Sequence, residues 1–146
     1  MQKEILLQAL DQNQIQFWEI CNKITPENVG FQLNDETPPI GFIFRHIGEA
    51  LSWYGAIFGL PADSENAKTN EAPELDIERS RFLVEQGFKK IKAYVENTPD
   101  SDWLEIIEAP LFGKISRARL FSRVLFHNSH HLGQVSLTLM RGEKID

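Results

Sequence analysis

The chain is poor in several things, and each shortage excludes a class of protein. It has one cysteine, Cys21, in 146 residues, so an internal disulfide is excluded and a reducing compartment is expected. As a lone thiol, Cys21 is expected to serve as a small buried hydrophobe. No basic run occurs, and the formal net charge is −6; this disfavours gripping the phosphates of nucleic acid or an anionic membrane. No apolar run is long enough to span a bilayer. Met1-Gln2-Lys3-Glu4 leads directly into an amphipathic pattern rather than a signal peptide, so a cytoplasmic location is expected. Internal repeats and low-complexity segments are also missing.

What is present is the material of a core: 42% hydrophobic residues, with ten Phe and three Trp. That argues for one compact domain over residues 1–146 and against disorder. Histidine is the informative residue type. Three of the four histidines fall in His127-Asn128-Ser129-His130-His131, and the fourth is His46. Leu120, Val124, His127, His131, Val135 and Thr138 recur at the spacing of one helix face. His127 and His131 are one turn apart on it, so both imidazoles can reach one point. His46 belongs to a similar series, Ile43, His46, Ala50, Trp53 and Ile57, and is expected to point inward as well. Three imidazoles converging from two helices meet the requirement of a catalytic-type divalent metal site, with three protein ligands and one open position. The alternative is that they are core histidines with ring N–H groups satisfied by carbonyls. Burying several without partners costs ~1–3 kcal/mol each, a cost that ligation removes.

Four amphipathic segments are expected. The first covers residues 2–23, with Leu6, Leu10, Asn13, Phe17, Ile20 and Ile24 on its stripe. Asn13 is expected to hydrogen-bond a neighbouring helix; orienting a ligand is the other possibility. After a Pro- and Gly-containing connection, Pro38-Pro39 opens a second helix over residues 40–58, with prolines tolerable at the first turn. Glu49, three residues beyond His46, is expected to be a solvated helix-face group. Its alternative is a carboxylate of the site, as a fourth ligand or an acceptor for an imidazole. Residues 62–74, with Asp63, Glu65, Glu71 and Glu74, read as a solvated acidic loop. Asp76 caps a third helix reaching residue 96, with Val84, Phe88, Ile91 and Val95 inward. Arg81 shares that stripe and is expected to snorkel; the alternative is a carboxylate-binding role at a pocket mouth. Residues 103–114 are too irregular for a helix and suit a short extended excursion. Ser116 caps the last helix, residues 117–140. Gly133 within it implies a close approach to another backbone. The resulting fold class is all-α, a four-helix bundle with a divalent metal site in its core.

The residues that carry the histidines resemble the DinB/YfiT-like family of metal-dependent enzymes. The likeness spans nearly the whole chain in its length, its four helical segments, a histidine midway along the second and His-x-x-x-His in the fourth. His127-Asn128-Ser129-His130-His131-Leu132-Gly133-Gln134 is similar to the family's last-helix signature, in which Gly-Gln follows the second ligand. Gly41-Phe42-Ile43-Phe44-Arg45-His46-Ile47 resembles the region of the first ligand. By position the resemblance implies His46, His127 and His131 as the metal triad, with His130 a frequent neighbour of the last ligand. Leu132 stands where Arg is frequent, which counts against an anion-binding role at that place.

The family's name refers to DNA-damage induction and implies no DNA contact. The resemblance implies a divalent metal, often zinc or nickel, in a bundle that commonly dimerises. Relatives include transferases and isomerases that use low-molecular-weight thiols. The expected function is therefore a metal-dependent S-transferase or isomerase-like activity on a small-molecule substrate, with no residue of the chain as nucleophile. A metal-dependent hydrolase with Glu49 as base and a non-catalytic metal- or ligand-binding module are the alternatives. A homodimer is expected, with Phe42, Phe58 and Trp103 as candidate exposed aromatics.

Overall fold

The computed structural model describes residues 1–61 and 76–145. The expected acidic loop at residues 62–74 lies outside them. Four long helices dominate: α1 (Gln2–Cys21), α2 (Ile40–Ile57), α3 (Ile77–Asn97) and α4 (Arg117–Arg141). Four short strands accompany them, β1 (Phe31–Gln32), β2 (Ile106–Ala109), β3 (Gly113–Ser116) and β4 (Glu143–Lys144). In the bundle α2 packs between α3 and α4, and α1 closes the opposite side against the same two helices.

Local chemistry sets the helix limits. The Asp76 carboxylate accepts from the Arg79 N–H at 2.9 Å and the Ser116 hydroxyl from the Arg119 N–H at 3.2 Å. Both are N-caps that satisfy a donor the helix itself leaves unpaired. Past α1, the Asn28 side chain accepts from Thr25 N and donates to the Lys23 carbonyl, both at 2.8 Å, which closes the turn into the next segment. Phe17, Phe44 and Phe88 meet in the core at ring separations of 5.7 to 5.9 Å. Leu10, Ile47, Ile91, Val124 and Leu132 surround them, all fully or almost fully buried.

The α2–α3 seam is the tightest. A Cβ on Gly48 would stand 2.8 Å from Leu83 Cβ, and one on Gly87 only 2.6 Å from Leu51 Cβ. Each glycine is thus the hole for a leucine of the facing helix. Gly133 has no such role, because no described residue lies within 4 Å of a Cβ built there. It sits on the exposed side of α4, so the close approach expected from its sequence position does not occur among the described residues. Phe58 and Trp103, expected at the surface, are 8% and 1% exposed; Phe42 is half-buried. Phe58 caps the C-terminus of α2 and Trp103 follows a short 3-10 turn over Asp100–Asp102, and both rings turn into the core.

The irregular stretch before α4 is an antiparallel hairpin. Ile106 pairs with Ser116 and Ala109 with Gly113, so β3 runs directly into the α4 cap. Its tip turns through Leu111 and Gly113, at φ 69° and 66°. Glycine adopts that conformation freely, whereas leucine does so at a cost. A second ribbon, Phe31 with Lys144 and Gln32 with Glu143, ties the chain beyond α4 to the α1–α2 connection. At Gly142 a Cβ would lie 2.5 Å from the Thr138 carbonyl oxygen, so only glycine lets the chain leave α4 this way.

Candidate metal centre

His46 on α2 and His127 and His131 on α4 meet across the α2–α4 seam. One ring nitrogen from each can be chosen so that all lie within 4.8 Å of one another. The ring centroids are 5.1 Å apart for His46–His127, 4.7 Å for His46–His131 and 4.5 Å for His127–His131. The expected interior placement needs correction: all three are half-buried. On α4 the fully buried residues are Leu120, Phe121, Val124, Asn128, Leu132, Val135 and Thr138. At about 100° per residue, His127 and His131 fall on one margin of the face they form. His46 lies similarly at the flank of the buried face of α2. Each helix of a bundle touches two neighbours, so its buried arc is wide, and a stripe drawn through the histidines follows one edge of it.

Two features bear on whether these residues suit a metal. The Nδ1 of His127 is buried and has no hydrogen-bond partner among the described residues, the situation that ligation or a bound polar group relieves. His131 Nδ1 is 2.6 Å from Gln134 Oε1. An amide oxygen only accepts, so Nδ1 carries the proton and Nε2 keeps its lone pair free. Such a partner fixes both tautomer and ring orientation, as the outer hydrogen bonds of metal-ligating histidines do. Electrostatics favour the neutral, ligating form. Burial, followed by the charges of His131, His46 and His130, pushes His127 down to about 4. Burial also lowers His46, with Glu49 opposing, and His131, with the Gln134 hydrogen bond opposing. These groups fit a divalent cation.

Glu49 is half-buried and paired: its carboxylate accepts from Arg45 Nε at 2.7 Å, with the two side chains 17% and 6% exposed. It lines a cavity of about 380 Å³ with His46, Trp53, Tyr54, Leu111 and His127. Arg81 turns away toward α1, donating to Asn22 Oδ1 at 2.9 Å and lying over the Trp18 ring at 5.2 Å. His130 is exposed and outside the triad, its ring 5.0 Å from that of His131. Asn13 bonds a neighbouring helix, donating to Ser129 Oγ at 3.1 Å and accepting from Asn128 Nδ2 at 3.0 Å. Cys21 is buried, its thiol pushed up to about 12 chiefly by that burial.

Gln134 is legible in the sequence as part of the Gly-Gln that follows His131, and it stands one turn beyond that residue. Tyr54 and the hairpin tip carry no such signal. Phe112 stacks parallel to Tyr54 at 6.2 Å, beneath Arg123 at 4.6 Å, contacts that require the hairpin to fold back on α2 and α4.

Four helices with a histidine triad on the seam between two of them define a class: helical-bundle proteins with a candidate metal centre. Within it, the chain belongs to the DinB superfamily, whose sequence model matches residues 9–135. Among solved structures it is similar to a DinB-like protein from Bacillus cereus, with a TM-score of 0.73 and 18% identity over 98% of this chain and 95% of that one. At that identity the likeness concerns the fold. No individually curated protein matches the chain.

Proposed function

We propose that the chain is a divalent-metal-dependent enzyme in which His46, His127 and His131 hold the ion, zinc or nickel, and which transfers or isomerises a small molecule with the help of a low-molecular-weight thiol. The observation that carries the reading is the convergence of three ring nitrogens within 4.8 Å. A divalent cation supplies Lewis acidity, which favours the deprotonated form of a thiol or a water. The chain contributes orientation and an apolar surface beside the centre. Gln134 holds the His131 tautomer, and Trp53 and Leu111 line the adjoining cavity.

No side chain is assigned as nucleophile: Cys21 is buried with a raised thiol pKa, and thiolate is the reactive form. A hydrolase using Glu49 as base is the second reading, favoured by that carboxylate's place in the cavity wall. A non-catalytic metal- or ligand-binding module is the third. The test starts with metal analysis of protein purified without chelator. About one divalent ion per chain is expected, with His46→Ala, His127→Ala and His131→Ala each losing most of it and His130→Ala retaining it. A metal-free wild type would remove both enzyme readings. With metal present, turnover of an electrophile that requires added thiol supports the transferase, and thiol-independent hydrolysis the alternative.

A further inference from the structure

A second cleft shares His127 of the triad with the first and carries arginine rather than carboxylate in its lining. It has a volume of about 1040 Å³ and runs along α4, bounded by Arg119, Arg123, Phe126, His127 and His130, with Tyr54 opposite. Tyr54 and His127 belong to both cavities. On the α2 side the wall holds the Glu49 carboxylate and apolar Trp53 and Leu111. On the α4 side no described residue of the lining is acidic. Arg119 and Arg123 are one turn apart, about 6 Å along the helix axis, so their guanidinium groups can address one oxyanion. Among the described residues neither is paired with a carboxylate. Arg123 is set in place by the Phe112 ring, 4.6 Å from its guanidinium carbon. In a chain of net charge −6, two unneutralised arginines beside a reaction centre are a local reversal of sign.

We propose that Arg119 and Arg123 form an anion subsite that holds the carboxylate or phosphate group of a small-molecule ligand while the rest of that ligand reaches the triad past His127 and Tyr54. The proposal rests on reading His46, His127 and His131 as the reaction centre. Guanidinium binds either oxyanion through charge-assisted, often bidentate hydrogen bonds. On the other side Glu49 is already paired with Arg45, so attraction at the arginines rather than repulsion by Glu49 gives the ligand one orientation. The apolar cavity is left for an uncharged reaction partner.

Calorimetric titration at low ionic strength tests this with succinate and with inorganic phosphate, on the full chain as purified and after chelation. Saturable binding of one anion is expected, and which one binds distinguishes a carboxylate from a phosphate ligand. Loss of two charge-assisted contacts in the double variant Arg119→Gln/Arg123→Gln is expected to weaken it about ten-fold or more. Arg141→Gln, at the exposed far end of the same helix, should bind as wild type, and unchanged helical content in all variants excludes misfolding. Binding of neither anion, or undiminished binding by the double variant, would overturn the subsite. Metal content measured on the same samples separates the two ideas. Arginine-dependent anion binding without metal retains the subsite and removes the metal reading, whereas metal without anion binding does the reverse.

Discussion

At the scale of single residues, the centre depends on groups that never touch a ligand. Gln134 accepts from His131 Nδ1 at 2.6 Å. Replacing it with Leu leaves all three histidines present but frees the ring to rotate and to exchange tautomers. Metal affinity, measured by chelator competition, is expected to fall about 10- to 100-fold while the fold is retained; unchanged affinity would show that Gln134 orients nothing. The same histidines make the metal-free protein acid-sensitive. His127 is held at about 4 in the folded chain against about 6.5 when unfolded, so between these values the unfolded state binds more protons. Its contribution to stability is complete above the unfolded value and is lost as pH falls toward the folded one. Urea unfolding of chelated protein from about pH 7.5 to about pH 4.5 should therefore show declining stability, with a shallower decline in His127→Asn. Equal slopes for the two proteins would contradict this.

Among the helices, glycine has opposite meanings at two positions. Gly87 receives Leu51 so closely that a methyl group would stand 2.6 Å from its Cβ, and the obstacle is the root of a side chain, which moves only with its backbone. Gly87→Ala should destabilise by roughly 1–3 kcal/mol, the usual cost of overpacking a seam. Gly133 faces open space inside α4. There the same substitution should stabilise by ~0.5–1 kcal/mol, since it restricts the unfolded chain and meets nothing in the folded one. Denaturant midpoints with unchanged m-values would measure both; a Gly87→Ala variant as stable as the wild type would show a looser α2–α3 seam, and a destabilised Gly133→Ala would show that Gly133 is in contact.

For the whole molecule, the expected homodimer now has a different candidate surface. Phe58 and Trp103 are in the core, whereas Phe126, Leu137 and Met140 are 73%, 49% and 73% exposed. With Gly133 they fall within roughly 60° of one another on the outer side of α4. An exposed apolar face of that kind suits a self-complementary contact with a second copy. Sedimentation at micromolar concentration should give twice the 16.8 kDa chain mass, and Leu137→Glu should return it to the monomer. A monomeric wild type would remove the expectation. Among the described residues, no helix is long and apolar enough to cross a membrane.

Periodicity alone determined the four helices, because burial of one face every 3.6 residues is a local property of the chain. It also determined that His127 and His131 share a side of α4, and the caps at Asp76 and Ser116 followed from residue type and position. Periodicity did not determine how deep that side lies. Depth depends on which two neighbours each helix contacts, and the packing of α4 against both α1 and α2 turned Asn128 and Leu132 to the centre and the histidines to the edge. The partnership of His46 with the α4 pair and the turning of Arg81 toward α1 are contacts between distant segments. So is the hairpin that brings Phe112 beneath Arg123. Only the tertiary structure decided these, since side chains far apart in sequence acquire a separation only when the elements between them have packed.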